Sequence, residues 1–384
     1  MARILYVSQG YTTHDRRFLE QLSTTPHDIW FLPCAADRVQ YESRPIPSGV
    51  HRLPSLNNGS GLNKPINWAV SLSRFRRLLR TIKPDLVHAG PVQTGGFIAA
   101  MCRCHPLLVM SWGSDVLTVP EKSRWSRWVT QFTLRQADMV LGDCRAVRDA
   151  VLALAPLKPD QIVCFPWGLD LRRSLGRSEG LGLQRKLGWE GCRVVISSRS
   201  FEPIHGTLVF LEGMRRVMEQ QPDVRVIMLG DGSLRPHVEA FISEHDLSSR
   251  FHLPGQVPEP LVRDYFAEAD LYVSTTLSDG SSISLLEAMA SGLPVVVTDA
   301  HGNREWVRPG LNGWLCPPGQ AGALAAAVIE ALSDEAPRRA MGEANIALIR
   351  ERADWEHNFG RLLMAYRTLL AGVRRRRENT HGSV

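Results

Sequence analysis

Lysine is nearly missing from this chain: five occur in 384 residues and none between Arg193 and Gln320. A cofactor carried as a Schiff base on lysine therefore has no attachment point in that block. No apolar run approaches the roughly 18 residues that a membrane-spanning helix needs. Met1 to Ser8, a short strand-like stretch with one basic residue, lacks the form of a signal peptide. An excess of one charge is missing too. The 45 basic and 39 acidic residues leave +6, and four of the positive charges are the tail residues Arg374, Arg375, Arg376 and Arg377. The remaining body is close to neutral and does not read as a nucleic-acid binder. The seven cysteines (Cys34, Cys102, Cys104, Cys144, Cys164, Cys192, Cys316) show no paired zinc-ligand spacing. They read as reduced core thiols of a cytosolic, soluble or peripheral protein, and neither a metal nor another cofactor is expected. Short-period repeats and low-complexity linkers are absent.

What is present centres on Leu277 to Thr298, LSDGSSISLLEAMASGLPVVVT. Ser281, Ser282 and Ser284, around Ile283, offer caps to a helix whose body is Leu285, Leu286, Glu287, Ala288, Met289 and Ala290, and Gly292 is placed to end it. Glu287 is an acid in apolar company, so it needs either an exposed helix edge or a group that hydrogen-bonds it. Ribose, a vicinal diol, is one such group. The loop Asp279-Gly280-Ser281-Ser282 can aim backbone N–H groups at an anion, and the helix dipole adds attraction for phosphate. An ordinary capped amphipathic helix would give the same pattern. The strand-like runs Leu271 to Thr275 and Pro294 to Thr298 make this a β-loop-α-β unit, with the loop where ligands sit in open parallel sheets.

Asp279 and Glu287, eight positions apart, resemble the acid-x7-acid motif of the family-4 retaining glycosyltransferases, which have the GT-B fold; family members usually carry Glu at the Asp279 position. The resemblance implies an α/β architecture of two doubly wound Rossmann-like domains facing a central cleft. The strand and helix alternation fits two domains, and the length is sufficient for each to bury a core. The expected boundaries are an acceptor-binding domain over 1–170, a Gly-, Arg- and Ser-rich linker over 171–192 and a nucleotide-sugar-binding domain over 193–354. A helix over 355–372 would cross back to the first domain, as in the family, followed by a basic tail over 373–384.

Other landmarks match in part. Gly10 stands in a first βα loop where the family usually has two glycines that let backbone approach the donor phosphate or the acceptor. His14, Asp15, Arg16 and Arg17 either line the acceptor site or form a solvated first helical turn. Trp112-Gly113-Ser114-Asp115 resembles the family's His-Gly-x-Asp segment with Trp112 in place of His; Asp115 reads equally as a helix cap. Phe165 to Asp170 resembles the end-of-domain turn. Arg199 follows a strand where the family carries an Arg and a Lys, but in Arg199-Ser200-Phe201-Glu202-Pro203-Ile204-His205-Gly206 the lysine is replaced by His205, one residue farther along. Gly230-Asp231-Gly232 looks like a phosphate cradle, a weak signal by itself. Gly255-Gln256-Val257 resembles the segment facing the nucleotide base, and His301 to Glu305 and Pro309 to Gly313 resemble turns flanking the donor.

The implied activity is transfer of a sugar from a nucleotide-diphosphate sugar to an acceptor hydroxyl with retention, in surface polysaccharide, glycolipid or other glycoconjugate synthesis. The acceptor would be a sugar, a lipid-linked molecule or another small molecule. The leaving diphosphate gains charge and needs fixed cations or dipoles. Arg199 and cationic His205 would meet it, Asp279 the sugar hydroxyls and Glu287 the ribose, with Asp115 and Gly280 to Ser284 completing the site. Two other classes stay open: another GT-B enzyme, such as a sugar-nucleotide epimerase or a phosphorylase, and a non-catalytic sugar-nucleotide binder. Lys122 to Gln136 mixes Trp125, Trp128 and Phe132 with arginines, a pattern of either a membrane-surface helix or one that buries its aromatics. The tail Arg374 to Arg377 would add salt-sensitive peripheral association at the cytoplasmic membrane face.

Overall fold

The computed structural model describes residues 1–35, 42, 44–57, 65–176 and 178–381, with 65–67 and 373–381 described by backbone alone. It contains two compact units, Met1–Phe165 joined by residues from Phe359 onward, and Pro166–Asn358. Each is built on one parallel sheet. The first unit carries β1 (Arg3–Ser8), β2 (Asp28–Pro33), β3 (Val50–Arg52), β4 (Leu86–Ala89), β5 (Leu107–Met110), β6 (Met139–Gly142) and β7 (Ile162–Cys164). The second carries β8 (Arg193–Ser197), β9 (Val224–Leu229), β10 (Phe251–Gly255), β11 (Leu271–Ser274), β12 (Val295–Thr298) and β13 (Gly313–Cys316). The orders are β3-β2-β1-β4-β5-β6-β7 and β10-β9-β8-β11-β12-β13. Both sheets therefore wind outward in two directions from a central pair, β1/β4 and β8/β11, the doubly wound arrangement.

The strand sequences explain the layering. Leu86–Ala89, Leu107–Met110, Leu271–Ser274 and Val295–Thr298 are buried at every residue, as strands covered by helices on both faces must be. The edge strands β7, β10 and β13 are partly buried, and the edge strand β3 is the most open, half-buried at Val50 and exposed at His51 and Arg52. In the first unit Tyr6 on β1 donates to Asp15 (3.0 Å), and His88 on β4 pairs through Nδ1 with the Tyr366 hydroxyl of the last helix (2.6 Å). Burial holds the His88 imidazole neutral, pushing its pKa down to about 3.

Three expectations are corrected here. Residues 171–192 do not form a bare linker: they hold short helices at Leu171–Ser174 and Leu183–Lys186, and Leu183 and Trp189 are buried in the core of the second unit. The last helix does not stop at residue 372 but runs Trp355–His381. It begins in the second unit and joins the first from Phe359. The Arg374 to Arg377 side chains lie outside the described residues. Asp15 belongs neither to a ligand site nor to a solvated turn. It is fully buried as the acid of a capping box, accepting from Thr12 N (2.9 Å) and Thr12 Oγ1 (2.7 Å), and burial raises its pKa to about 6.

Candidate active site

In an open parallel sheet the crevice for ligands lies beyond the carboxyl ends of the strands where the winding reverses. In the second unit that point is the β8/β11 pair. Arg199 follows β8 and the Asp279 loop follows β11, so the topology itself places these two residues side by side.

Arg199 is the hub. Its Nη1 donates to Ser282 Oγ (2.7 Å) and Ser284 Oγ (3.2 Å), and its Nη2 to Asp279 Oδ2 (2.7 Å) and to His205 Nδ1 (2.8 Å). The side chains of Arg199 and Asp279 keep only 15% and 21% of their exposure, so solvent screens this ion pair weakly. Because arginine has no acceptor, the His205 contact fixes the tautomer: Nδ1 is bare and the proton sits on Nε2. Burial, with the neighbouring Arg199 charge, pushes the His205 pKa down to about 3. The expectation of a cationic His205 is therefore corrected for the ligand-free molecule, in which the imidazole is a neutral acceptor that helps to aim the guanidinium.

The acidic motif lies across from Arg199. Ser282 caps the helix Ile283–Ala290, with its hydroxyl facing Leu285 N (3.5 Å), and the amides of the first turn have no intrahelical partner. Along this helix only Ile283 and Glu287, one turn apart, are half-buried while the rest is buried. Glu287 thus sits on the single open edge, one turn beyond Ser284, which Arg199 touches. The Asp279 backbone is held by Gly302 N (3.3 Å) and Ser281 Oγ accepts from Trp306 Nε1 (3.3 Å). The sequence reading did not single out Trp306 as an anchor, nor Arg352, whose guanidinium lies 4.8 Å above its ring. Thr275, expected as the last residue of the strand, and Thr276 follow β11 and were not singled out as anchors. Thr275 Oγ1 donates to the carbonyls of His205 (3.0 Å) and Gly206 (3.1 Å), and Leu277 N to that of Ile204 (2.8 Å). Two threonines directly after an apolar strand were the available signal.

The glycines here serve packing. Gly206 has φ +64°, and a Cβ there would meet Thr275 O at 2.2 Å. A Gly206→Ala substitution is expected to destabilise the protein by about 1–3 kcal/mol and to weaken donor binding by displacing His205, measurable by thermal unfolding and calorimetry. An unchanged melting temperature would refute this account. Gly230 and Gly232, which resemble a phosphate cradle in the sequence, have a packing role. Side chains at these positions would strike the carbonyls of Arg199 (2.7 Å) and Phe201 (2.6 Å), so these glycines let the β9 turn lie on the β8 turn. Val257 is half-buried against the core of the second unit.

In the first unit Gly10 is a buried turn residue directly after β1. Asp115 is 5% exposed, and its carboxylate accepts from Ser111 Oγ (2.6 Å), Trp112 N (3.0 Å) and Val92 N (3.0 Å). Burial raises its pKa against these bonds. It is not the helix cap, a position held by Gly113, and its bonds make it a brace joining the turns after β4 and β5 rather than a group facing substrate. Trp112, in the family's histidine place, lies 6.2 Å from the His14 ring.

The likeness to known proteins follows the same division. Over 172 residues the chain is 33% identical to the amylovoran biosynthesis glycosyltransferase AmsK of Erwinia amylovora, covering 43% of this chain and 40% of that one. It is 25% identical over 295 residues to the sulfoquinovosyl transferase SQD2 of Arabidopsis thaliana, covering 73% and 56%. The chain thus spans less than half the length of the first curated relatives it matches. Among solved structures, sucrose-phosphate synthase from Thermosynechococcus elongatus superposes with a TM-score of 0.82 at 18% identity, covering 97% of this chain and all of that one. The Anabaena protein HepE, in complex with UDP-glucose, gives 0.77 at 18% identity, covering 96% and 100%. Residues 9–168 match the family model of the glycosyl transferase 4-like domain and residues 183–347 that of glycosyl transferases group 1, and the chain belongs to these glycosyl transferases, with the GT-B fold.

Proposed function

We propose that this chain is a retaining glycosyltransferase that uses a nucleotide-diphosphate sugar, with the donor bound in the second unit and the acceptor in the first. The observation that carries the reading is the Arg199 fork, held over the N-terminus of the helix Ile283–Ala290 at the sheet's switch point. Both the guanidinium and the helix N-terminus attract a diphosphate. That a structural neighbour was solved with UDP-glucose supports a nucleotide-sugar donor.

In this mechanism the acceptor hydroxyl attacks the anomeric carbon on the face that the diphosphate leaves. The bond from that carbon to the phosphate oxygen breaks, and the hydroxyl proton passes to the departing phosphate. Arg199 and the first-turn amides of the helix, Ser282, Ile283 and Ser284 among them, meet the developing charge. Asp279 engages Arg199 through Oδ2, and among the described residues Oδ1 carries no hydrogen bond, which leaves it for a sugar hydroxyl. Gly280 and Ser281 shape the loop, Glu287 takes the ribose hydroxyls, and Val257 borders the base. His205 positions Arg199, and Asp115 braces the acceptor side. Similarity to an amylovoran biosynthesis glycosyltransferase and to a phosphatidyl-myo-inositol mannosyltransferase supports a glycan or lipid-linked acceptor.

The test is donor binding and turnover across a panel of sugar nucleotides. Glu287→Gln removes the charged acceptor of two hydroxyls, and bonds to a charged group are worth about 1.5–3 kcal/mol, so donor affinity should fall at least tenfold. An unchanged dissociation constant in the folded variant removes Glu287 from the site. Transfer that requires an acceptor separates this reading from an epimerase, which turns over donor alone, and from a binder, which turns over nothing.

A further inference from the structure

The first unit carries a face that the donor chemistry does not use. The helices Pro65–Ile82 and Arg124–Gln136 together contain seven arginines and no acidic residue. Arginines on the second unit are mostly matched with acids, as in Arg215 with Glu212, Arg235 with Glu239 and Arg304 with Asp299. Lys122, Arg124 and Arg127 are exposed, and among the described residues none of the three is in an ion pair, although Glu121 is exposed beside them.

Large apolar surface is interleaved with these cations. Trp125 is 66% and Trp128 46% exposed. Their rings stack at 4.9 Å, and Trp128 stacks in turn on Phe132 at 5.5 Å. Phe97 meets Trp128 edge-on at 6.2 Å and Trp68 at 5.2 Å. The aromatic row therefore runs from the core outward and ends in water, rooted firmly enough to hold two indoles in place.

We infer that this face docks on an anionic lipid surface. Indole rings suit the boundary between headgroups and acyl chains, and guanidinium forks suit lipid phosphate. A predominantly cationic and aromatic face, with Glu121 as an exposed acid beside it, calls for a partner that is anionic in its outer layer and apolar just beneath, which describes such a membrane. Single-stranded nucleic acid, the other polyanion that uses aromatics, needs separate ring faces for successive bases. Here Trp128 is stacked between Trp125 and Phe132, which leaves only the outer face of Trp125 and no series of platforms. The inference goes beyond the donor assignment and does not depend on it.

The full chain should float with vesicles of phosphatidylcholine and phosphatidylglycerol at three to one, and not with phosphatidylcholine alone. Trp125→Ala with Trp128→Ala should lower the partition coefficient at least tenfold, and Arg124→Gln with Arg127→Gln at least fivefold, with melting temperatures kept close to wild type. Both losses should persist when the chain is shortened after Gly372, which separates this face from the basic tail. The single variant Trp125→Ala, at the more exposed ring, covers the case in which the double variant fails to fold and should lower partition at least threefold. Unchanged partition of the folded variants overturns the inference. So does equal binding to neutral vesicles, displacement from vesicles by a single-stranded oligonucleotide, or a dimer that the tryptophan substitutions turn into monomer.

Discussion

Donor affinity is expected to stay flat between about pH 5.5 and 8.5, and His205→Asn to bind donor within about threefold of wild type, whereas His205→Leu should bind at least tenfold more weakly. The geometry dictates this order. His205 Nδ1 receives a hydrogen bond from Arg199 at 2.8 Å, an amide oxygen can take over that acceptor role, and leucine cannot. Loss of an acceptor from a charged donor costs about 1.5–3 kcal/mol, enough for a tenfold effect. The titration follows with its sign. The unfolded imidazole titrates near 6.5, while in the folded protein burial and Arg199 push the pKa down to about 3. Between these values the unfolded chain binds more protons, so stability falls with acidification. The contribution of a neutral His205 is present in full above about pH 6.5 and is lost progressively toward pH 3; His205→Asn should shallow that slope. Calorimetric dissociation constants and urea unfolding across the range provide the check. Donor binding that weakens as pH rises through 6 to 7 would mean that bound diphosphate protonates the imidazole, and the positioning role would fall.

The legible and illegible parts of the chain divide along physical lines. The β-loop-α-β unit around Glu287 was readable because several local signals agree: an apolar strand ending in Ser274, a serine cap, an eight-residue helix and a glycine just past its end. Arg199 was readable as a cation directly after a buried strand. Nothing local to either stretch says that they meet; the strand order does, since β8 and β11 are neighbours although two strands separate them in sequence. The charge state of His205 was misread for the same reason. A histidine beside Pro203 looks like a weak cation until the Arg199 guanidinium is seen donating to it. Asp115 and Asp15 show the complementary error. Asp15 read as a ligand residue or part of a solvated turn and Asp115 as a ligand residue or a helix cap, yet the carboxylate of Asp15 is taken up by Thr12 and Tyr6, and that of Asp115 by Ser111, Trp112 and, from the turn after β4, Val92. The stretch 171–192 was misread because five glycines and four arginines break up an irregularly spaced apolar set, Leu171, Leu175, Leu181, Leu183 and Trp189, that packs on the core of the second unit. β3 escaped because three residues at a half-exposed edge carry no pattern.

Arg199→Ala should lower kcat/KM at least a thousandfold, the larger part of it in kcat, and Asp279→Asn by about ten- to a hundredfold. The double variant should lose much less than the product of the two. Removing a fixed donor that meets developing charge typically costs about a hundred- to a thousandfold in kcat. In this site the deletion does further harm, because Asp279, at 21% side-chain exposure, loses the cation it pairs with at 2.7 Å. An unpaired carboxylate then stands beside the position proposed for the diphosphate and repels it. Asp279→Asn removes that repulsion, so in the Arg199→Ala background it should restore donor affinity although it impairs the wild type. Such a sign reversal is the mark of coupled neighbours. Arg199→Lys is not expected to rescue. One ammonium cannot span Ser282, Ser284, His205 and Asp279, which the planar fork serves from two nitrogens. The measurement is a double-mutant cycle on donor dissociation constants and on kcat, with melting temperatures to exclude unfolding. Strict additivity would show that Asp279 and Arg199 act separately on the donor, and that the ion pair is only a scaffold for the loop.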